Sequence, residues 1–231
     1  MNTEEIVQQF KADFAGKDVY LSLSELPQGL VIPEGWEGFG IRGTEPPRFP
    51  DAWHLFKNEF PWVTSLLDVG LLGTAILKDN TVNLIYVFHD SNGLYYYVGG
   101  APISATPKEK MLSEFGIQGR LADFYNSVHD GFTFYAARSM GPAALEDMFF
   151  ISDGMDEEDT EFAEGWLALF SNGGGDYIAL DIDSTAKNNG LIWWHEEPFT
   201  PERDMDIFET MDTWMSIFLE DTKLRGPGNS Q

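Results

Sequence analysis

The sequence predicts an α+β protein: a twisted, mainly antiparallel sheet with helices packed mostly on one side, plus an N-terminal extension carrying an extra β-meander. Three observations predict it. After three consecutive glycines at 173–175, Ile178, Leu180 and Ile182 alternate with Tyr177, Ala179 and Asp181, the period-2 pattern of a strand leaving a turn. Residues 74–77, 81–89 and 94–98 are apolar or β-branched runs separated by Asp79-Asn80 and by Asp90-Ser91-Asn92-Gly93, which reads as a meander. Leu121, Phe124, Tyr125 and Val128 fall at i, i+3, i+4 and i+7, the buried stripe of a helix.

The remaining elements follow in order. Residues 2–15 form an amphipathic helix on Ile6, Val7, Phe10 and Phe14. Residues 26–50, rich in proline and glycine, are irregular and pinned to the core by Trp36, Phe39 and Phe49. Residues 53–67 hold a helix interrupted at Pro61, where a backbone donor is missing. After a joint at 102–107, helices at 108–115 and 118–128 flank Gly116, and 132–136 is a strand. Residues 141–164 are mostly loop, with a helical turn at 143–148 and a like-charged block at 153–161 that must face water.

The glycine tract turns a hairpin, because glycine takes positive φ without steric cost. A second turn at 184–190 leads into a strand at 191–195. Adjacent Trp193 and Trp194 must then point to opposite faces, one toward the core and one nearer the surface. The last helix begins near Thr200-Pro201, a capping residue followed by proline, with Ile207, Met211, Trp214 and Phe218 as its apolar seam. The organisation expected is an N-terminal α+β extension over 1–106, separate or continuous with the rest, a domain over 107–223, and a frayed tail at 224–231.

Composition excludes several classes. With 43% hydrophobic and 14% aromatic residues in 231, the chain can bury a core and is not of disordered type. No apolar run approaches the roughly 20 residues that span a bilayer, and MNTEEIVQQFKADF lacks the basic-then-apolar pattern of a signal peptide. Without cysteine there is no disulfide, thiolate nucleophile or cysteine-bound zinc, which fits a reducing cytoplasm. The net charge is −24, divided as 15 acids and 8 bases in residues 1–119 against 23 and 6 in residues 120–231. Such a field repels nucleic acid and anionic membrane and attracts basic partners.

Catalytic patterns are weak. His54, His89, His129 and His195 show neither H-x3-H nor HExxH spacing. His195, beside Glu196 and Glu197, reads as a surface edge residue ahead of an acid–base pair. Asp176, Asp181 and Asp183 are better turn formers than calcium or magnesium ligands, since 181–189 lacks the central glycine and terminal glutamate of a calcium loop. The glycine tract has no lysine and opens no helix, unlike a phosphate loop. With 38 acids, no glycosidase pair can be singled out. No catalytic, cofactor-binding or metal-ligating residue is expected.

The order NGGGDYIALD at 172–181, a short polar turn, an apolar strand and a C-terminal helix carrying Trp214 resembles the SMI1/KNR4 (SUKH) superfamily. The segment LADFYNSVHDG at 121–131, an apolar helix ending at Asp130-Gly131, fits the same pattern, and the resemblance covers about residues 107–221. It implies a SUKH-like sheet and a non-enzymatic immunity protein. Such a protein neutralises a cognate bacterial toxin domain, often a nuclease or other nucleic-acid-modifying enzyme, whose active site is basic. Its partner contacts are then sought at Asp153, Asp156, Glu157, Glu158, Asp159, Glu196 and Glu197, with Trp194 as an apolar anchor. A regulatory scaffold related to cell-wall synthesis regulators, or a carboxylate- or metal-dependent hydrolase, are the alternatives.

Overall fold

The computed structural model describes residues 2–42, 46–105, 108–157, 159–186 and 189–225. It is α+β, and its strands form two antiparallel sheets. Helix α1 (Thr3–Asp13) is capped by Asn2, whose side chain accepts from Glu5 N–H while Glu5 accepts from Asn2 N–H. Strands β1 (Asp18–Tyr20) and β2 (Gly40–Ile41) follow. A 3₁₀ stretch (Asp51–Phe56) then leads to helix α2 (Pro61–Gly70). Pro61 therefore does not interrupt a helix; it starts one, at the first position, where its missing N–H would be unpaired anyway.

The meander is β3 (Gly73–Lys78), β4 (Val82–His89) and β5 (Leu94–Gly100). Helices α3 (Glu109–Glu114) and α4 (Gly119–Ser127) precede β6 (Asp130–Phe134), which pairs with β5. The first sheet thus runs β1-β3-β4-β5-β6, with β2 also paired to β3. The boundary expected at 106/107 lies outside the described residues, but the sheet draws strands from both sides of it.

The second sheet comprises β7 (Gly141–Pro142), β8 (Phe149–Phe150), β9 (Trp166–Ser171), β10 (Tyr177–Asp181), β11 (Gly190–Trp193) and β12 (Glu202–Met205). Helix α5 (Ile207–Phe218) closes the described fold. It starts seven residues later than Thr200 because Asp206 supplies the cap, accepting from Phe208 and Glu209 N–H. Thr200 belongs to the turn before β12, donating to the Glu197 carbonyl.

Strand alternation decides the layers. On the first sheet, Ala75, Leu77, Ile85, Val87 and Tyr96 meet Ile6, Phe10 and Phe14 around α1. The opposite face gives Ile76, Leu84, Tyr86, Phe88, Tyr97 and Phe132 to the main core. That core also receives Leu167, Leu169, Phe170, Ile178 and Leu180 from the second sheet and Met211 and Met215 from α5. At its centre the Trp53 indole N–H donates to Tyr86 Oη (2.9 Å), Tyr86 donates to His129 Nε2 (2.7 Å), and His129 Nδ1–H donates to Gly100 C=O (2.8 Å). The carbonyl can only accept, which fixes the tautomer and satisfies every polar group along the chain. A side chain at Gly99 would collide with the His129 ring, its Cβ standing 2.5 Å from Nδ1.

Candidate docking face

The turn between β9 and β10 is built by one asparagine and one aspartate. Asn172 Oδ1 accepts from Gly174 N–H (2.7 Å) and Asp176 N–H (3.1 Å), and Asn172 Nδ2 donates to Asp176 Oδ2 (2.7 Å). Gly173 and Gly175 sit at φ 78° and 106°, a region side chains rarely enter. Asp176 Oδ1 in turn accepts from His195 N–H (3.1 Å) and Nδ1–H (2.8 Å). Burial raises the Asp176 pKa, but the bonds from His195 and Asn172 outweigh it and hold the carboxyl below its usual range. His195 is therefore exposed at a strand end, as expected, and its partner is Asp176 rather than the adjoining glutamates.

The outer face of the second sheet carries Trp166, Ala168, Ala179 and Leu191, flanked by half-buried Tyr177 and Trp193. It is covered by the segment that holds two 3₁₀ turns (Ile151–Gly154 and Thr160–Ala163), from which Ile151, Met155 and Ala163 insert. The residues between these apolar pegs are acids. Asp153, Asp156, Glu157, Glu161 and Glu164 are exposed and Asp159 is half-buried; Glu158 lies outside the described residues.

The second acidic group is brought alongside by aromatic contacts. The Trp193 indole donates to Pro198 C=O (3.2 Å), folding residues 195–200 back along the sheet, with Glu196 and Glu197 exposed. Phe199, next in the turn, meets Phe162 edge-on with ring centroids 5.4 Å apart, and Phe162 meets Trp166 at 5.1 Å. Phe162 and Phe199 remain 38% and 51% exposed, so this pair forms an apolar island between the two acidic stretches. From residue 139 to 202 the sequence has fifteen acids and one base, Lys187.

Trp194 is not part of this face. Its ring lies 6.0 Å from Trp214 of α5, on the side of the sheet that meets the main core. Exposed aromatics on this face are Phe149, packed on Tyr177, and Phe162 and Phe199, the latter two adjoining glutamates in the segments EFAE and EEPF. A phenylalanine amid like charge was the available signal for these two, one that singles out neither.

Several other polar groups are engaged within the fold. Asp176 precedes β10 and Asp181 ends it, and Arg203 donates to Asp181 (3.5 Å). Among the described residues no group of three or more histidines or carboxylates is placed to hold a metal ion. An open cleft of about 370 Å³ lies between the starts of α4 and α5 and the end of β10. Of its lining, Arg120 is engaged by Glu59 (2.6 Å) and Asp206 caps α5. Comparison with protein-family models, curated proteins and solved structures found no match.

Proposed function

We propose that this chain is a protein-binding module of the immunity type, neutralising a toxin domain by laying the acidic outer face of its second sheet over a basic active site. The observation that carries this reading is the Phe162–Phe199 contact, which brings the exposed acids at 153, 156, 157, 161 and 164 into the same region as the turn that carries Glu196 and Glu197. Two acidic segments distant in sequence thus meet at one aromatic contact. Carboxylates so placed can occupy the positions that substrate phosphates take on a nuclease-like partner, excluding substrate without any bond chemistry.

Two further features support it. The acidic segment is pinned by Ile151, Met155 and Ala163 and the turn by the Trp193 and Asp176 bonds, so little ordering remains to be done on binding. The resemblance to the SMI1/KNR4 superfamily supplies the partner class. Co-expression with a candidate basic toxin domain tests the proposal. Rescue of growth together with co-purification is the expected result, lost when Asp153, Asp156, Glu157, Glu196 and Glu197 are neutralised together. Rescue that survives this neutralisation contradicts it.

A further inference from the structure

We propose that the Phe162–Phe199 island is a seat for an arginine side chain presented by the partner. The inference rests on the docking reading above and names the group received at the centre of the face. Both rings are substantially exposed, at 38% and 51%, at the outer end of a ring series that starts from buried Trp166. Each is bordered in sequence by carboxylates, Glu161 and Glu164 about Phe162, Glu196 and Glu197 before Phe199. A ring face attracts a cation through its quadrupole, and a planar guanidinium stacks on it while its N–H fork bonds carboxylate oxygens.

The same layer already holds one guanidinium in this way. Arg203 places its Cζ 4.4 Å from the Trp166 ring centroid and donates to Asp181 at 3.5 Å. Trp166 is the next ring in line, 5.1 Å from Phe162. The pattern of aromatic face plus carboxylate is thus occupied from within at Trp166 and continues outward, onto exposed rings, at Phe162 and Phe199. With carboxylates bordering both rings in sequence, charge complementarity selects a cation over a neutral apolar group.

The test is calorimetric titration of the whole chain with hexa-arginine and hexa-lysine peptides at low salt, with Phe199→Leu, Phe199→Ala and a Glu196→Gln/Glu197→Gln pair. Phe199 is half exposed, and unchanged thermal unfolding of its variants confirms the fold. We expect both Phe199 variants to weaken hexa-arginine binding about threefold to tenfold, with a smaller effect on hexa-lysine. Leucine keeps most of the apolar area and lacks the ring face, so it should not restore binding. The glutamate pair should weaken both peptides and flatten their salt dependence. If Phe199→Leu binds hexa-arginine as the native chain does while the glutamate pair weakens it, the arginine seat is wrong and the acidic docking reading stands. If the native chain binds neither peptide better than a neutral hexapeptide, the arginine seat fails and the charge-based docking reading fails with it.

Discussion

The Asp212 carboxylate of α5 caps the helix that begins at Pro61: its Oδ1 accepts from Val63 N–H at 3.0 Å and its Oδ2 from Trp62 N–H at 3.1 Å. Burial raises the Asp212 pKa, and these two bonds pull it back only in part. A capping carboxylate supplied from 150 residues away ties α2 to α5 across the main core.

Asp212→Ala leaves two donors without their acceptor in a mostly buried place, at a cost of about 1–3 kcal/mol. For a chain of this size that lowers the melting temperature by roughly 2–4 °C per kcal/mol. Asp212→Asn offers one acceptor instead of two and should fall between. Thermal unfolding that leaves both variants unchanged contradicts the capping role.

His129 is fully buried, which pushes its pKa down to about 4 against the opposing bond to Gly100. The unfolded chain, with an ordinary histidine near 6.5, then binds more protons than the folded one between these values. Stability should therefore rise with pH from about 4 to about 6.5, this group contributing on the order of 3 kcal/mol. His129→Gln should lower stability at pH 7 and flatten that part of the profile. Denaturant midpoints across the window, native against variant, measure it; identical slopes are the opposing result.

Asp176 carries the opposite sign. Its carboxyl pKa is depressed in the folded state, so its contribution is present above the unfolded value and is lost as pH falls through the lower, folded one. Asp176→Asn should cost about 2 kcal/mol at neutral pH and little in strong acid. Gly175→Ala should also destabilise, because φ is 106° and the new Cβ would stand 3.1 Å from the His195 ring. Chemical denaturation at neutral and acid pH distinguishes the two mechanisms, since only the first depends on protonation.

How far the sequence could be read follows from where the physics is local. The apolar runs of β3, β4 and β5, the alternation after the glycine tract at β10 and the stripe of α4 were legible, because each is written in the element's own residues. β12 was not: Glu-Arg-Asp-Met at a sheet edge has no apolar alternation. The start of α5 was misread since Thr200-Pro201 and Asp206 both offer caps, and only the turn bonded to Glu197 shows which is used. The acidic block at 153–161 was legible as exposed from its charge. Its meeting with Glu196 and Glu197 was not, because it depends on two phenylalanines 37 positions apart touching over one sheet face. Trp194 is the anchor that residue type suggests, but its ring lies against Trp214 on the other side of the sheet, and nothing in the sequence singles out Phe199.

The central claim is best tested by the association rate with a catalytically inactivated toxin domain, followed by stopped flow as salt rises. The account predicts a rate that falls at least tenfold between about 20 mM and about 500 mM salt, and a slow, salt-insensitive rate once Asp153, Asp156, Glu157, Glu196 and Glu197 are neutralised. A native rate that is the same at both salt concentrations, or that the neutralised variant matches, contradicts it.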